Sequence, residues 1–172
     1  KLVWVHAASV GESLSMLSLI ERLATDWPGL NILMTTGTVT SARIMAARLP
    51  ERVIHQFVPL DHGGWVRRFL DHWRPDLVLW VESEFWPNLL CEIGARRIPS
   101  VLVNARISSK SYDGWRNWPS LIGRLLDNFD LCLAQTEDDA RRLDVLGADR
   151  VVCHGNLKFS SSPLPVDESE LR

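Results

Sequence analysis

Short apolar runs alternate with amphipathic stretches along almost the whole chain, and this alternation restricts the possible folds more than any other feature. The runs that predict strands are residues 2–6, 31–36, 53–58, 77–81, 100–104, 130–134 and 151–153. The stretches that predict helices are residues 12–25, 39–48, 64–73, 86–96, 118–127 and 137–146. Nearly continuous apolar runs are typical of parallel strands that are covered on both faces. Repeated strand–helix units with right-handed crossovers therefore predict an α/β fold, a Rossmann-like, doubly wound and mostly parallel sheet.

The ends of the predicted helices carry the expected signals. Pro28-Gly29 and Pro50 follow the first two helices, where they stop the helical pattern. Thr136 precedes three acidic residues and suits a helix N-cap, and Gly147 suits a left-handed helix end.

Length and composition predict one domain of ordinary soluble character. The chain has 172 residues and a net charge of −2, so no global field attracts nucleic acid or anionic lipid. No apolar run approaches the roughly 20 residues of a membrane helix. Eight Trp residues are many for this length, and we expect at least half of them to be structural. We expect residues 1–159 to form the domain and residues 160–172, rich in Ser and Pro, to be a linker to a following domain.

Neither the cysteines nor the histidines predict a metal site. The three cysteines share no CxxC-type spacing, which favours buried thiols in a reducing compartment. The five histidines have no metal-ligand spacing, and His6 and His55 fall within predicted strands. We therefore predict no metal. The turn at Gly11 is neither a Walker A loop nor a G-x-G-x-x-G motif, so we also predict no cofactor.

The turn from the first strand into the first helix contains the most informative acid. Ser9 and Glu12 fit a capping box, in which the serine accepts from a backbone N–H and the glutamate reaches back to the N–H of the cap. The alternative is that Glu12 points into the crevice at the sheet edge and acts as a general base. The helix N-terminus favours its ionised form. Gly11 leaves room for a substrate near the backbone.

Two more acids follow the strand at 77–81. Glu82 and Glu84 lie two residues apart, so on an extended chain they share a face. If the strand order is 3-2-1-4, they emerge beside Glu12, where like charges raise one another's pKa. The alternative is an N-cap cluster on a solvated loop, because Pro87 suits a helix start.

Two further segments carry basic residues, and one of them follows the last predicted strand. Lys158 follows the last strand and offers a positive charge to a phosphate or carboxylate, although solvated lysines are common. A basic aromatic loop suits an anionic amphiphile or a membrane interface, and equally a solvated loop with its Trp side chains turned inward. Its residues are Arg106, Lys110, Tyr112, Trp115, Arg116, Trp118 and Arg124.

Five motifs in this order resemble the 3-deoxy-D-manno-octulosonic acid (Kdo) transferases of lipopolysaccharide synthesis. They are Ser9-Val10-Gly11-Glu12, Glu82-Ser83-Glu84-Phe85-Trp86-Pro87-Asn88, Asn104-Ala105-Arg106-Ile107-Ser108, Ala134-Gln135-Thr136-Glu137-Asp138 and Gly155-Asn156-Leu157-Lys158-Phe159. The family has Leu at the positions of Phe85 and Ile107. The resemblance covers nearly the whole chain.

This resemblance implies the N-terminal half of a GT-B glycosyltransferase, with two Rossmann-like domains facing a cleft. Such enzymes are inverting and metal-independent. They transfer Kdo from CMP-Kdo to a lipid A precursor at the cytoplasmic face of the bacterial inner membrane. The N-terminal domain receives the acceptor, and the C-terminal domain holds the CMP sugar. The isolated chain is therefore expected to show no turnover.

The resemblance also implies roles for single residues. Glu12 corresponds to the general base, and Glu82 and Lys158 correspond to groups that stabilise the transition state, with Glu84 as the alternative to Glu82. Ser9, Gly11, Arg106 and Lys110 are our candidates for acceptor binding. The expected partners are the lipid A precursor, CMP-Kdo and a membrane surface, without nucleic acid. Two other functions remain open: a module that binds lipid A or anionic lipid without chemistry, and another GT-B sugar-nucleotide enzyme such as an epimerase.

Overall fold

The computed structural model describes residues 1–82 and 84–157. Lys158 and the predicted linker, residues 160–172, lie outside the described residues. The strands are β1 (Leu2–Ala7), β2 (Asn31–Thr36), β3 (Val53–Phe57), β4 (Leu77–Val81), β5 (Ser100–Ala105), β6 (Leu131–Ala134) and β7 (Val151–Cys153). The helices are α1 (Val10–Asp26), α2 (Val39–Arg48), α3 (Gly63–Trp73), α4 (Pro87–Ala95), α5 (Ser109–Trp115), α6 (Pro119–Leu126) and α7 (Glu137–Val145).

The strands form one parallel sheet in the order β3-β2-β1-β4-β5-β6-β7. This confirms the Rossmann-like, doubly wound expectation and places β4 beside β1. The chain winds from β1 towards β3 and then from β4 towards β7, so the winding reverses between β1 and β4. In open α/β sheets, ligands bind outside the carboxyl ends of the strands at such a point.

Each face of the sheet carries its own apolar core. On one face α1 and α2 pack over the sheet, with Met16, Ile20 and Met45 buried among the strand residues. On the other face α3, α4, α6 and α7 pack around Trp4 and Trp80, which are completely buried. Three further Trp residues are half-buried against this second core, namely Trp73, Trp86 and Trp115. The expectation that at least half of the eight Trp residues are structural is therefore confirmed.

The predicted elements are present, with ends that differ by at most two residues, and one helix was not predicted. Helix α5 has seven residues and no buried side chain, so it has no apolar periodicity to recognise. Ser108 caps it by accepting a hydrogen bond from the Ser111 N–H at 3.1 Å. Gly147, shortly after α7, has a φ of 104°, which confirms the predicted left-handed end of that helix. Among the described helices, none is long and apolar enough to cross a membrane.

Candidate active site

Glu12 lies in the first turn of α1 with its side chain only 6% exposed. Its carboxylate is held at both oxygens: Oε2 accepts the Ala8 N–H at 2.9 Å, and Oε1 accepts the Ser9 hydroxyl at 2.7 Å. Ser9 is the N-cap and accepts the Glu12 N–H at 3.3 Å. The predicted capping box is thus partly wrong, because the glutamate reaches the N–H of Ala8 and not that of Ser9.

Burial raises the pKa of Glu12 above its usual range. The hydrogen bonds from Ser9 and Ala8 favour the charged form and offset part of this effect, while the negative charges of Glu82 and Glu84 add to it. The helix N-terminus alone predicted a lowered pKa, which favours the ionised form. Burial was not included in that prediction, and it raises the pKa of Glu12. The carboxylate is therefore a better proton acceptor than predicted.

Glu82 directly follows β4 and is half-buried. Its backbone has a φ of 59°, which is unusual for a residue with a side chain, and its N–H donates to the Val103 carbonyl at 2.9 Å. Such backbone conformations cost free energy and concentrate at functional sites. Glu82 also raises the pKa of Glu12 more than Glu84 does.

Glu84 is exposed, and its side chain is directed by a tryptophan. One carboxylate oxygen accepts the Trp86 Nε1–H at 3.2 Å, and its backbone carbonyl accepts the Trp80 Nε1–H at 2.8 Å. The structure therefore brings both acids to the edge where Glu12 lies, with Glu82 the more buried of the two.

An uncharged histidine lies beneath this edge. His6 in β1 is 1% exposed, and burial lowers its pKa to about 3. Its ring lies 4.4 Å from the ring of Trp80 and 5.8 Å from that of Trp86. Its Nδ1 lies 3.0 Å from the Thr35 hydroxyl. His6 is thus a strand residue, as predicted, and it adds no positive charge near Glu12 at neutral pH.

The N-terminus of α4 is occupied by a carboxylate from another loop. Asp61 accepts the Leu89 N–H at 2.8 Å through Oδ1 and the Asn88 N–H at 3.1 Å through Oδ2. Sequence reasoning missed this contact, because 27 residues separate Asp61 from Asn88. The contact fixes the segment that carries Glu84 and satisfies the helix end without a substrate.

The basic aromatic segment is partly packed and partly exposed. Trp115 is half-buried, with its ring 6.0 Å from that of Phe85, whereas Trp118 is 66% exposed. Arg106 and Lys110 are exposed beyond the end of β5. Helix α7 fastens the loop between them, because Asp139 accepts the Ile107 N–H at 2.8 Å. The inward-turned Trp side chain is therefore confirmed for Trp115 and wrong for Trp118, and the membrane interface stays a prediction.

The predicted site residues fall into three groups. Ser9, Gly11 and Glu12 lie at the end of β1, and Glu82 and Glu84 lie beyond the end of the neighbouring β4. Arg106 and Lys110 follow β5, the next strand in the sheet.

Lys158 is outside the described residues, but the Leu157 N–H directly before it donates to Asn104 Oδ1 at 3.1 Å. Gly11 is exposed in the first turn of α1.

Metal-binding side chains do not cluster in the described part of the chain: in residues 1–82 and 84–157, no three His, Cys, Asp or Glu side chains come together as a possible metal site.

Comparison with known proteins gives a clear match in sequence. The family model described as 3-deoxy-D-manno-octulosonic-acid transferase (kdotransferase) matches residues 1–161. The 3-deoxy-D-manno-octulosonic acid transferase of Rickettsia felis is 42% identical over 170 residues. That match covers 99% of this chain and 36% of the relative, so the chain spans little more than a third of that protein.

Comparison with solved structures supports the fold. The S. aureus MnaA–UDP complex superposes with a TM-score of 0.70 at 19% identity, covering 98% of this chain and 47% of that one. UDP-GlcNAc 2-epimerase from Neisseria meningitidis, bound to UDP-GlcNAc, gives a TM-score of 0.65 at 16% identity and covers 91% and 47%. At these identities the likeness concerns the fold alone, and it agrees with the expected GT-B half.

Proposed function

Because this chain belongs to the family of 3-deoxy-D-manno-octulosonic acid (Kdo) transferases, we propose that it forms the acceptor-side domain of a complete Kdo transferase. The complete enzyme would transfer Kdo from CMP-Kdo to a lipid A precursor in lipopolysaccharide synthesis. The observation that carries the proposal is Glu12, a buried carboxylate fixed at both oxygens at the switch point of the sheet.

Glu12 acts as the general base. The two protein hydrogen bonds leave further lone pairs on the carboxylate, and these can accept the proton of an acceptor hydroxyl. As the proton moves to Glu12, the acceptor oxygen bonds to the anomeric carbon of Kdo. The bond from that carbon to the CMP phosphate oxygen breaks, and CMP leaves. The raised pKa of Glu12 supports this role, since a stronger base takes the proton more readily.

Glu82 and Lys158 stabilise the charges that develop during this step. The half-buried carboxylate of Glu82 suits the positive charge of an oxocarbenium-like sugar. The ammonium of Lys158 suits the departing phosphate or the Kdo carboxylate. Glu84 is the second choice for the carboxylate role, because it is exposed and its effect on Glu12 is weaker.

The segment that follows β5 binds the acceptor and contacts the membrane. Arg106 and Lys110 are exposed cations near the edge and suit the phosphates of a lipid A precursor. Trp118 and Leu121 are exposed large apolar side chains on the same segment, and Arg124 lies one turn further on. An exposed indole beside basic residues suits an anionic membrane surface. This segment supports contact with an anionic membrane surface, and we propose the cytoplasmic face of the inner membrane as that surface.

The main test is Glu12→Gln in the complete transferase. Glutamine has the same shape and cannot take the proton, so we expect turnover to fall by roughly 100- to 10,000-fold. Binding of the lipid A precursor should change little, because the acceptor hydroxyl retains a polar partner. The measurement is the transfer rate from CMP-Kdo together with acceptor affinity.

The matched control is Glu21→Gln, an exposed glutamate on the same helix. It should leave both quantities unchanged. A near-normal transfer rate in Glu12→Gln would reduce Glu12 to a helix-capping residue and overturn the proposal.

Membrane binding has its own matched pair of exposed tryptophans. We expect Trp118→Ala to weaken binding to phosphatidylglycerol vesicles by roughly tenfold, because one buried indole is lost from the interface. Trp27 is 56% exposed at the other end of the fold, after α1, so Trp27→Ala should have no effect. Equal losses in both variants would remove this surface from the proposal.

The two alternatives fare differently. An epimerase-like function rests on fold alone, at 16% identity, whereas the transferase relative is 42% identical. If this domain were a lipid-binding module without chemistry, it would bind the acceptor normally. The transfer rate of the complete protein would then not depend on Glu12. The Glu12→Gln experiment separates that function from transfer.

A further inference from the structure

Strand β5 contains an irregularity next to the proposed site. Leu102 pairs with Cys132 and Ala105 with Ala134, so β5 has one residue more than β6 between these pairs. Asn104 lies in this bulge with a φ of 54°. Consecutive residues of a regular strand point to opposite faces. Here Val103 and Asn104 both line the apolar cavity on the α1 side, so the bulge turns the asparagine to that face.

Asn104 belongs to a network of hydrogen bonds across three strand ends, through both its side chain and its backbone carbonyl. Its side-chain Oδ1 accepts the Leu157 N–H at 3.1 Å. Gln135 donates from Nε2 to the backbone carbonyl of Asn104 at 2.9 Å and accepts the Asn156 Nδ2–H at 3.1 Å. We call Asn104, Gln135 and Asn156 the amide clamp. It fixes the last two residues before Lys158.

Asn104 is not placed for stability alone. It is 2% exposed, and its Nδ2 has no hydrogen-bond partner among the described residues. A buried polar group without a partner is unfavourable, and the left-handed backbone adds a further cost. Unfavourable features of this kind are retained mainly at functional sites.

The same bulge also contacts the segment that carries Glu82. The Val103 carbonyl accepts the Glu82 N–H at 2.9 Å, one residue before Asn104. Asn104 in turn holds Leu157, whose side chain packs against the apolar core under α1. One short piece of β5 therefore sets the backbone at Glu82 and the backbone leading to Lys158.

We propose that Asn104 is a positioning residue for Kdo transfer, because its amide at the β5 bulge fixes the backbone from which Lys158 extends. This inference rests on the proposed role of Lys158. Asn104 acts through Lys158. Gln135, directly after β6, supports Asn104 by a hydrogen bond to its backbone carbonyl. Displacing a catalytic group by about 1 Å costs up to roughly 100-fold in rate.

The test is a double-mutant cycle in the complete transferase, with turnover as the readout. Asn104→Ala should lower turnover by roughly 10- to 100-fold in the parent enzyme. In the Lys158→Ala background the same change should cost less than about twofold, because the group that Asn104 positions is already gone. Asn31→Ala, an exposed asparagine at the opposite edge of the sheet, is the control and should change neither rate.

The outcomes separate this inference from the proposed function. If Lys158→Ala alone retains the parent rate, the proposed role of Lys158 fails. If Lys158→Ala is slow and Asn104→Ala costs the same in both backgrounds, the positioning role is overturned while the proposed function stands. If Asn104→Ala does not fold, the same cycle with Gln135→Met at a half-buried position decides, and equal costs there overturn the inference.

Discussion

Two helices of this domain begin with the same local arrangement. At the start of α1, Ser9 caps the helix and donates to Glu12, and at the start of α7, Thr136 caps the helix and donates to Asp139. The two acids are equally buried, at 6% exposure each. Both helices follow strands that end at the same edge of the sheet. The capping pattern therefore does not distinguish a catalytic acid from a structural one.

The two acids differ in what their second oxygen binds and in the charges around them. Glu12 accepts the N–H of Ala8 in its own turn, whereas Asp139 accepts the N–H of Ile107 from the loop after β5. Glu12 faces the repulsion of Glu82 and Glu84. One acid therefore joins two segments of the fold, and the other gains an environment that raises its pKa. We expect the first to matter for stability and the second for activity.

Removing the structural acid should give the largest effect on stability. Asp139→Ala leaves the buried Ile107 N–H without an acceptor and removes the hydroxyl partner of Thr136, so we expect the free energy of unfolding to fall by about 3 kcal/mol. Turnover per folded molecule should persist. Denaturant unfolding and transfer assays measure the two effects.

The control for this change is Asp138→Ala in the same first turn. Asp138 is exposed and pairs with the exposed Arg141, so its loss should cost well under 1 kcal/mol. Glu12→Gln should be at least as stable as the parent at neutral pH. In the parent, the raised pKa of Glu12 means that the folded protein binds the proton more tightly than the unfolded chain does. The stability of the parent therefore falls as the pH rises through the folded pKa. A marked loss of stability in Glu12→Gln would make the two helix starts equivalent.

Most of the fold follows from the sequence because parallel strands and packed helices have strong apolar patterns. The strands at 31–36, 77–81 and 151–153 were predicted with their observed ends. Helix α5 was missed because none of its side chains is fully buried, and local propensity gives little signal without packing. The bulge at Asn104 was also missed, since it arises from how two strands pair rather than from either strand alone.

The candidate site was less accessible to sequence reasoning. Spacing placed Glu12 at a strand end and a helix start, which the structure confirms. The net direction of its pKa shift is set mainly by burial, with smaller contributions from Glu82 and Glu84, and a local sequence pattern does not report burial. The contacts of Asp61 and Asn104 join residues 28 and 53 positions apart, and no short motif reports such pairs.

The finest test of the comparison uses the two capping hydroxyls. The Ser9 hydroxyl donates to Glu12 and lowers its pKa, partly offsetting burial. Ser9→Ala removes that bond, so the pKa of Glu12 should rise further. Transfer needs the ionised base and declines as the pH falls through this pKa, so the acidic limb of the turnover profile should move to higher pH. Thr136→Ala should cost about 1 kcal/mol of stability and leave the limb in place. If both variants shifted the limb equally, Glu12 would not be the group that titrates.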